Sequence, residues 1–268
     1  MAGLEHASAA AAADHPEEMV EPAVPERIQW MTGMLEPQPG ERVVDLGCGT
    51  GDALAMIAGQ QPADLVGIDA SVAALRAAAS SLATLRGGSR LLIQADLSRP
   101  IPLADASMDR ALCHNVLEFL SDPDPFLEEV HRVLRPGGRF VLSHSDFDTL
   151  VFASEDLQLT RRLVRAYCDT QQDWMDTLDG TIGRRLAHIV QGSRLQLEDT
   201  QVRANLSLRF QPGELGYGYA HNLAQALRAA GQTDPGELDG WLAGLRRLDD
   251  EGGFLFSLND YAVACTRP

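Results

Sequence analysis

The segment VVDLGCGTGD, running from Val43 to Asp52, places Asp45 just ahead of Gly47, Gly49 and Gly51. Glycines let a backbone adopt left-handed angles and let a ligand approach where a Cβ would otherwise stand. A loop of this kind at the end of an apolar run suits a cofactor built on a nucleotide. The dinucleotide pattern G-x-G-x-x-G requires a third glycine where this chain has Asp52, which makes a nicotinamide dinucleotide the weaker choice. Asp45 weighs the same way, since a carboxylate beside a pyrophosphate is repulsive. The loop is better matched to a ligand that carries cationic groups and no phosphate.

S-Adenosylmethionine, with its sulfonium and ammonium, is a ligand of that kind, and further polar residues follow in order. Asp69 closes the run LVGID, where an acid at a strand tip accepts both ribose hydroxyls of an adenosine. Asp96 in QADL and Asn115 in CHNVLEFL follow the next two apolar runs, and LRPGG spans Leu134 to Gly138. Together these segments, from Val43 to Ser145, resemble the class I S-adenosylmethionine-dependent methyltransferases, closest in style to the ubiquinone/menaquinone-biosynthesis and secondary-metabolite types. The resemblance implies that Asp45, Gly47 and Gly49 hold the amino-acid end of the cofactor and Asp69 its ribose. It further implies that Asp96 and the Leu97 backbone hold the adenine, and that Asn115 approaches the methionine part. One position departs from the family: many relatives place His after the Glu that follows strand four, whereas Phe119 follows Glu118 here.

Methyl transfer is an in-line displacement at an electrophilic sulfonium, so a protein must align the nucleophile and, where needed, remove its proton. The segment SHSDFDT puts His144, Asp146 and Asp148 at alternating positions, on one face of an extended chain. His144 and Asp146 are the catalytic candidates, because neighbouring carboxylates favour an imidazolium and let the ring take a proton near neutral pH. The same ring can instead hydrogen-bond backbone and hold the loop. His114, at a strand end, reads as a core histidine. Trp174, Tyr217 and Tyr219 are the substrate-binding candidates, since aromatic faces hold a flat apolar molecule or a developing cation; core packing is the alternative. Arg184 and Arg185 read as either a carboxylate fork or helix-surface ion pairs.

The elements that must position these residues follow from periodicity. Four short apolar runs, Val43–Leu46, Leu65–Ile68, Leu91–Ile93 and Ala111–Cys113, alternate with helical patterns such as Ser71–Leu82 and Pro125–Leu134. A fifth run, Phe140–Leu142, follows the turn at Pro136, Gly137 and Gly138. This rhythm predicts right-handed βαβ units and hence an α/β, Rossmann-like sheet of about seven strands with helices on both faces. Ligands in such sheets bind at the carboxyl edge. An amphipathic helix over Glu26–Leu35 precedes the sheet and is placed across its mouth. Beyond Asp146 come helices near Glu155–Tyr167 and Thr177–Val190, a strand Val202–Leu208, helices near Glu214–Ala230 and Glu237–Leu248, and a last strand Phe254–Cys265. These form either a helical lid or the cover of a sheet edge. Residues 1–20 are Ala-rich and read as a disordered tail, with too few large apolar side chains to offset ordering entropy. Residues 21–268 read as one domain, 21–150 binding the cofactor and 151–268 the substrate.

Composition narrows the partners. The 268 residues are 45% hydrophobic and 22% charged, as in ordinary folded proteins. All 22 basic residues are Arg, and 38 acids bring the net charge to −16, which repels phosphate backbones and argues against nucleic acid. No run reaches the roughly 18 apolar residues of a membrane span, and the N-terminus lacks signal-peptide features. The four cysteines show no metal or disulfide spacing. The expectation is a cytoplasmic monomer or homodimer, without metal or membrane partner, that methylates a small organic molecule. Oxygen is the default acceptor atom, with an electron-rich aromatic carbon, as in an indole, or nitrogen as alternatives. The rival reading is a catalytically silent module that binds S-adenosylmethionine without turnover.

Overall fold

The computed structural model describes residues 25–85, 87–170, 175 and 180–268. Its strands are β1 (Arg42–Leu46), β2 (Asp64–Asp69), β3 (Arg90–Gln94), β4 (Met108–His114), β5 (Leu134–Phe152), β6 (Gln196–Ser207) and β7 (Phe256–Thr266). They form one sheet in the order β3-β2-β1-β4-β5-β7-β6. The first five run parallel, and β7 lies antiparallel between β5 and β6. The strand order reverses at β1, between β2 and β4, so the carboxyl edge there is the place where an open α/β sheet binds ligands.

Strand alternation distributes side chains to two cores. Val44, Leu46, Cys113, Phe140 and Leu142 meet α4 (Pro123–Val133) and α6 (Ile182–Gln191) through Leu127, Val130, Leu186 and Val190. On the other face Val43, Leu112, Val141 and Ala264 meet α1 (Pro25–Leu35) and α2 (Asp52–Gln60) through Met31, Leu35, Leu54 and Ile57, and α3 (Val72–Leu82) adds Leu82. The first helix thus packs on the sheet face, not across its mouth, and Arg27 in its first turn approaches Asp260 of β7 at 3.8 Å. A third core surrounds the distal ends of β5 and β7. There α5 (Leu157–Cys168), α7 (Leu215–Ala229) and α8 (Pro235–Asp250) bring Leu163, Leu223 and Trp241 against Leu150, Phe152 and Phe256. Ser71, Asp122, Asp156 and Asp234 cap α3, α4, α5 and α8 by accepting from first-turn N–H groups.

Three strands differ from expectation, β6 among them, since it begins at Gln196, six residues ahead of the expected Val202. The fifth run grows to 19 residues, because Leu134 already pairs with Met108 before the Gly137 turn and β7 offers partners as far as Phe152. The last strand starts at Phe256, and Phe254 is buried ahead of it in the third core. The tail at 1–20, Trp174, and residues 177–179 of the helix expected near Thr177–Val190 lie outside the described residues; that helix is described from Ile182.

Candidate functional site

After β1 the chain turns through Gly47 (φ 81°), Gly49 (φ 49°) and Gly51 (φ 81°). A Cβ on Gly47 would stand 2.3 Å from Val116 Cγ2, whereas one on Gly49 would meet none of the described residues within 4 Å. The Gly49 main chain therefore fronts open space, as ligand approach requires. Asp45 is buried; burial, then the charges of Asp69 and Asp52, raise its carboxyl to about 7. Among the described residues no ion pair engages it. A bound cation would relieve this crowding of acids, so the donor set fits the ammonium of the expected cofactor. Asp69 accepts from the Gly49 and Ser71 N–H groups, both at 2.8 Å, which orients its carboxylate over the loop and leaves further lone pairs for a ligand. Asp96 Oδ1 accepts from the Ser98 N–H at 2.9 Å and the Ser98 hydroxyl at 2.7 Å, and Leu97 beside it is buried.

Asn115 follows β4 at φ 50°. Its Oδ1 accepts from the Ser145 N–H at 2.8 Å and its Nδ2 donates to Ser145 Oγ at 3.3 Å. With the side chain committed to β5, approach to a cofactor falls to the Asn115 main chain.

The structure corrects both catalytic candidates. His144 is fully buried; its Nδ1 donates to the Ser145 carbonyl at 2.7 Å, and its Nε2 donates to the Glu118 carboxylate. A ring donating from both nitrogens is an imidazolium with no lone pair to take a proton. Burial alone pushes this ring down, but the charge and hydrogen bond of Glu118, with the Ser145 carbonyl and Asp260, outweigh it and hold the ring above the ordinary histidine range. Asp146 is fully buried and takes Arg184 Nε and Nη2 at 2.6 Å each. Asp148 reaches the same guanidinium at 3.1 Å. Alternation does set His144 and Asp146 on one face, but they answer Glu118 and Arg184, not each other. The fork of Arg184 is thereby spent within the protein.

His114, read from the sequence as a core histidine, has a buried ring. The residue is half-buried, its Nδ1 lies 3.2 Å from the Ser143 hydroxyl, and its Nε2 is buried without a partner. Burial, then the charges of Arg27 and His144, hold it well below the ordinary histidine range, so it is neutral and keeps one lone pair at neutral pH.

Tyr219 is buried, 6.1 Å from the Phe147 ring and stacked at 5.7 Å on Phe256. Phe147 also meets Tyr167 at 6.3 Å and His144 at 6.2 Å, both edge-on. Tyr217 belongs to a separate group with Phe210 and His221, at 5.1 and 4.0 Å. Glu118, Phe147 and Tyr167 enter only with the structure. For Glu118 a signal was present, since a carboxylate inside the apolar run VLEFL demands a buried partner. A groove of about 700 Å³ between β5 and α5, lined by Asp148, Leu150, Val151, Val164 and Cys168, shares no residue with the glycine loop.

Residues 44–142 match a family described as a methyltransferase domain. An O-methyltransferase of Pyrenophora dematioidea is 31% identical over 143 residues, 53% of this chain and 54% of that protein. A ubiquinone/menaquinone biosynthesis C-methyltransferase of Rubrivivax gelatinosus is 36% identical over 110 residues, 40% of this chain and 41% of that one. The chain spans about half the length of the curated relatives it matches. Among solved structures, a candidate methyltransferase of Bacillus halodurans is similar at a TM-score of 0.61 and 14% identity, over 91% of this chain and 99% of that one. The 4+2 cyclase SpnF is similar at 0.55 and 17% identity, over 91% and 80%. Residues 44–142 are thus a methyltransferase domain, set in a Rossmann-like sheet. No helix among the described residues is long and apolar enough to cross a membrane.

Proposed function

We propose that this protein binds S-adenosylmethionine and methylates a small organic acceptor. The observation that carries the reading is the pair Asp45 and Asp69 flanking the open Gly49 main chain where the strand order reverses. When bound, the cofactor supplies an electrophilic methyl group on sulfonium sulfur. Asp45 holds the ammonium, with the Gly47–Gly49 main chain beside it, and Asp69, already oriented by two amides, accepts from the ribose hydroxyls. Asp96 and the Leu97 backbone face the adenine, and the Asn115 main chain faces the methionine part.

On the acceptor side Phe147 within β5, Tyr167 of α5 and Tyr219 of α7 bring ring edges and faces together, which suits a flat apolar acceptor. An electron-rich ring carbon needs no proton removed before attack. Trp174, Tyr217 and a metal-free, nucleic-acid-free, small-molecule reaction remain parts of this reading, as does a cytoplasmic site of action. Methyl transfer from labelled S-adenosylmethionine across phenols, indoles and amines tests it. The expected result is saturable transfer to at least one class, abolished by Asp45→Ala; no binding of the cofactor by calorimetry would overturn the reading.

A second reading, a silent cofactor-binding module, draws support from His144 and Asp146, whose polar atoms are spent on Glu118 and Arg184. Its mark is tight cofactor binding with no transfer to any acceptor class.

A further inference from the structure

The segment that follows β4 is held from both sides. On one side Val116 packs against the main chain of Gly47, so closely that a single added Cβ would meet it at 2.3 Å. On the other side the Asn115 N–H donates to the Ser143 carbonyl at 3.1 Å, and the Asn115 side chain bonds both the N–H and the hydroxyl of Ser145. The Ser145 hydroxyl donates in turn to the buried Asp260 at 2.6 Å. Asn115 itself sits at φ 50°, a conformation that costs a non-glycine residue of order 1 kcal/mol and persists only where the surroundings over-determine it.

The far end of this segment is fastened by charge. Glu118, in the 3₁₀ turn Leu117–Phe119, and His144, between the two serines that grip Asn115, are both buried and paired. A buried ion pair gains little net stability against an apolar pair of the same volume, and its best-attested use is to specify one arrangement over others. Here the arrangement specified is the register of the β4 loop on β5. The ring's second donation, to the Ser145 carbonyl, ties that register to the same residue that anchors the Asn115 side chain.

We propose that Glu118 and His144 are positioning residues for the methyl donor: their ion pair fastens the β4 loop to β5 and so fixes the Asn115 main chain and the Gly47 turn that face the cofactor. The proposal rests on the functional reading that places S-adenosylmethionine at this edge.

S-Adenosylhomocysteine binding, measured by calorimetry on the full chain, tests this without any acceptor. Glu118→Ala and Asn115→Gly are each expected to weaken binding by about 10- to 100-fold, the range for a lost hydrogen bond to a charged group. Glu118→Gln, which can still bond a neutral His144 ring, is expected to recover most of the Glu118→Ala loss. The double variant is expected to lose no more than the weaker-binding single variant, because both act on one turn. Losses that simply multiply, or a folded Glu118→Ala protein within twofold of the unmodified affinity, would overturn the proposal; a merely structural pair predicts that result together with a lowered Tm. Should Glu118→Ala fail to fold, Glu118→Asp, which keeps the charge but withdraws it by one methylene, replaces it in the cycle with the same expectation of non-additivity. Absence of S-adenosylhomocysteine binding by the unmodified chain would overturn the functional reading itself, a result distinct from additivity in a chain that binds.

Discussion

The parallel half of the sheet and the helical layer beyond β5 treat their polar groups in opposite ways. Around β1 and β2, carboxylates stand at strand ends, oriented by backbone amides but without cations: Asp69 on Gly49 and Ser71, Asp45 among other acids. In the layer formed by α5, α7 and α8, polar atoms are spent on one another, as Trp241 Nε1 is on Thr160 Oγ1 at 2.9 Å, and aromatic rings fill the space between. A site that grips a charged ligand keeps charge uncompensated until the ligand arrives, which costs stability. A wall that fits an apolar ligand is itself apolar, so it adds to the core it belongs to. Variants in the two regions should therefore fail differently, the first in affinity and the second in stability.

The largest effect belongs to the helical layer. Tyr219→Ala removes a buried ring stacked on Phe256 and touching Phe147, and is expected to cost about 3–5 kcal/mol in urea denaturation, with S-adenosylhomocysteine affinity within about threefold where the protein is folded. A loss below about 1 kcal/mol would remove Tyr219 from the core and erase the contrast. Asp45→Asn should do the reverse. The Asp45 carboxyl titrates at about 7 in the folded chain against 3.8 ordinarily, so the folded state holds a proton that the unfolded state has released between those values. Its contribution to stability is fully present below about 3.8 and is lost as pH rises to about 7. Asp45→Asn is therefore expected to leave stability unchanged near pH 4 and to raise it by about 2–4 kcal/mol at pH 8, while cofactor affinity collapses. In the unmodified chain, affinity should fall about tenfold per pH unit below the Asp45 value, because the ammonium needs the ionised carboxylate. A flat pH dependence in calorimetry, matched by the variant, would take Asp45 out of the site.

Asp69→Ala lies between these. It deletes the acceptor for the ribose and the tether of Gly49, and about 2–3 kcal/mol of cofactor affinity should go with it, the range for charge-assisted hydrogen bonds. Unlike Asp45→Asn it should bring no stability at pH 8, since its carboxylate is already satisfied by two amides. Stabilisation on the Asp45 scale would show that both acids are strained in the same way.

The same contrast sets how much is legible in the sequence. Asp45, the glycines, Asp69 and Asp96 fall at consecutive strand ends, where local chain direction alone carries a side chain to the carboxyl edge; apolar periodicity and turn residues suffice to place them. The identity to curated relatives is likewise confined to about half the chain. His144 shows where such reasoning stops. Period-2 alternation correctly puts it on the face of Asp146, but that face is covered by α4 and α6, and its partner Glu118 is 26 positions away in sequence. The free nitrogen lies instead on His114, whose environment is set by Arg27 of the first helix and by His144 of the next strand. Neither pairing has a local signature, because each depends on which strand lies beside which. Phe147 and Tyr167 are of the same kind, being brought together by α5 folding back over the extended end of β5.

The smallest effect tests the outer limit of the helical half. β6 is an edge strand, and Val202 and Leu206 stand on one of its faces at 57% and 61% exposure, with Leu208 just past its end at 64%. Apolar side chains this exposed bury little area in the single chain, so Leu206→Ser should change stability by no more than about 0.5 kcal/mol, in contrast to Tyr219→Ala a short distance away. The measurement is urea denaturation at two protein concentrations well apart. If Leu206 contributes only to the single chain, both concentrations give the same small change. A loss above about 1 kcal/mol that grows with concentration would mean that a second copy covers this face, as long edge strands invite, and the stability of the helical half would then be partly a property of an assembly.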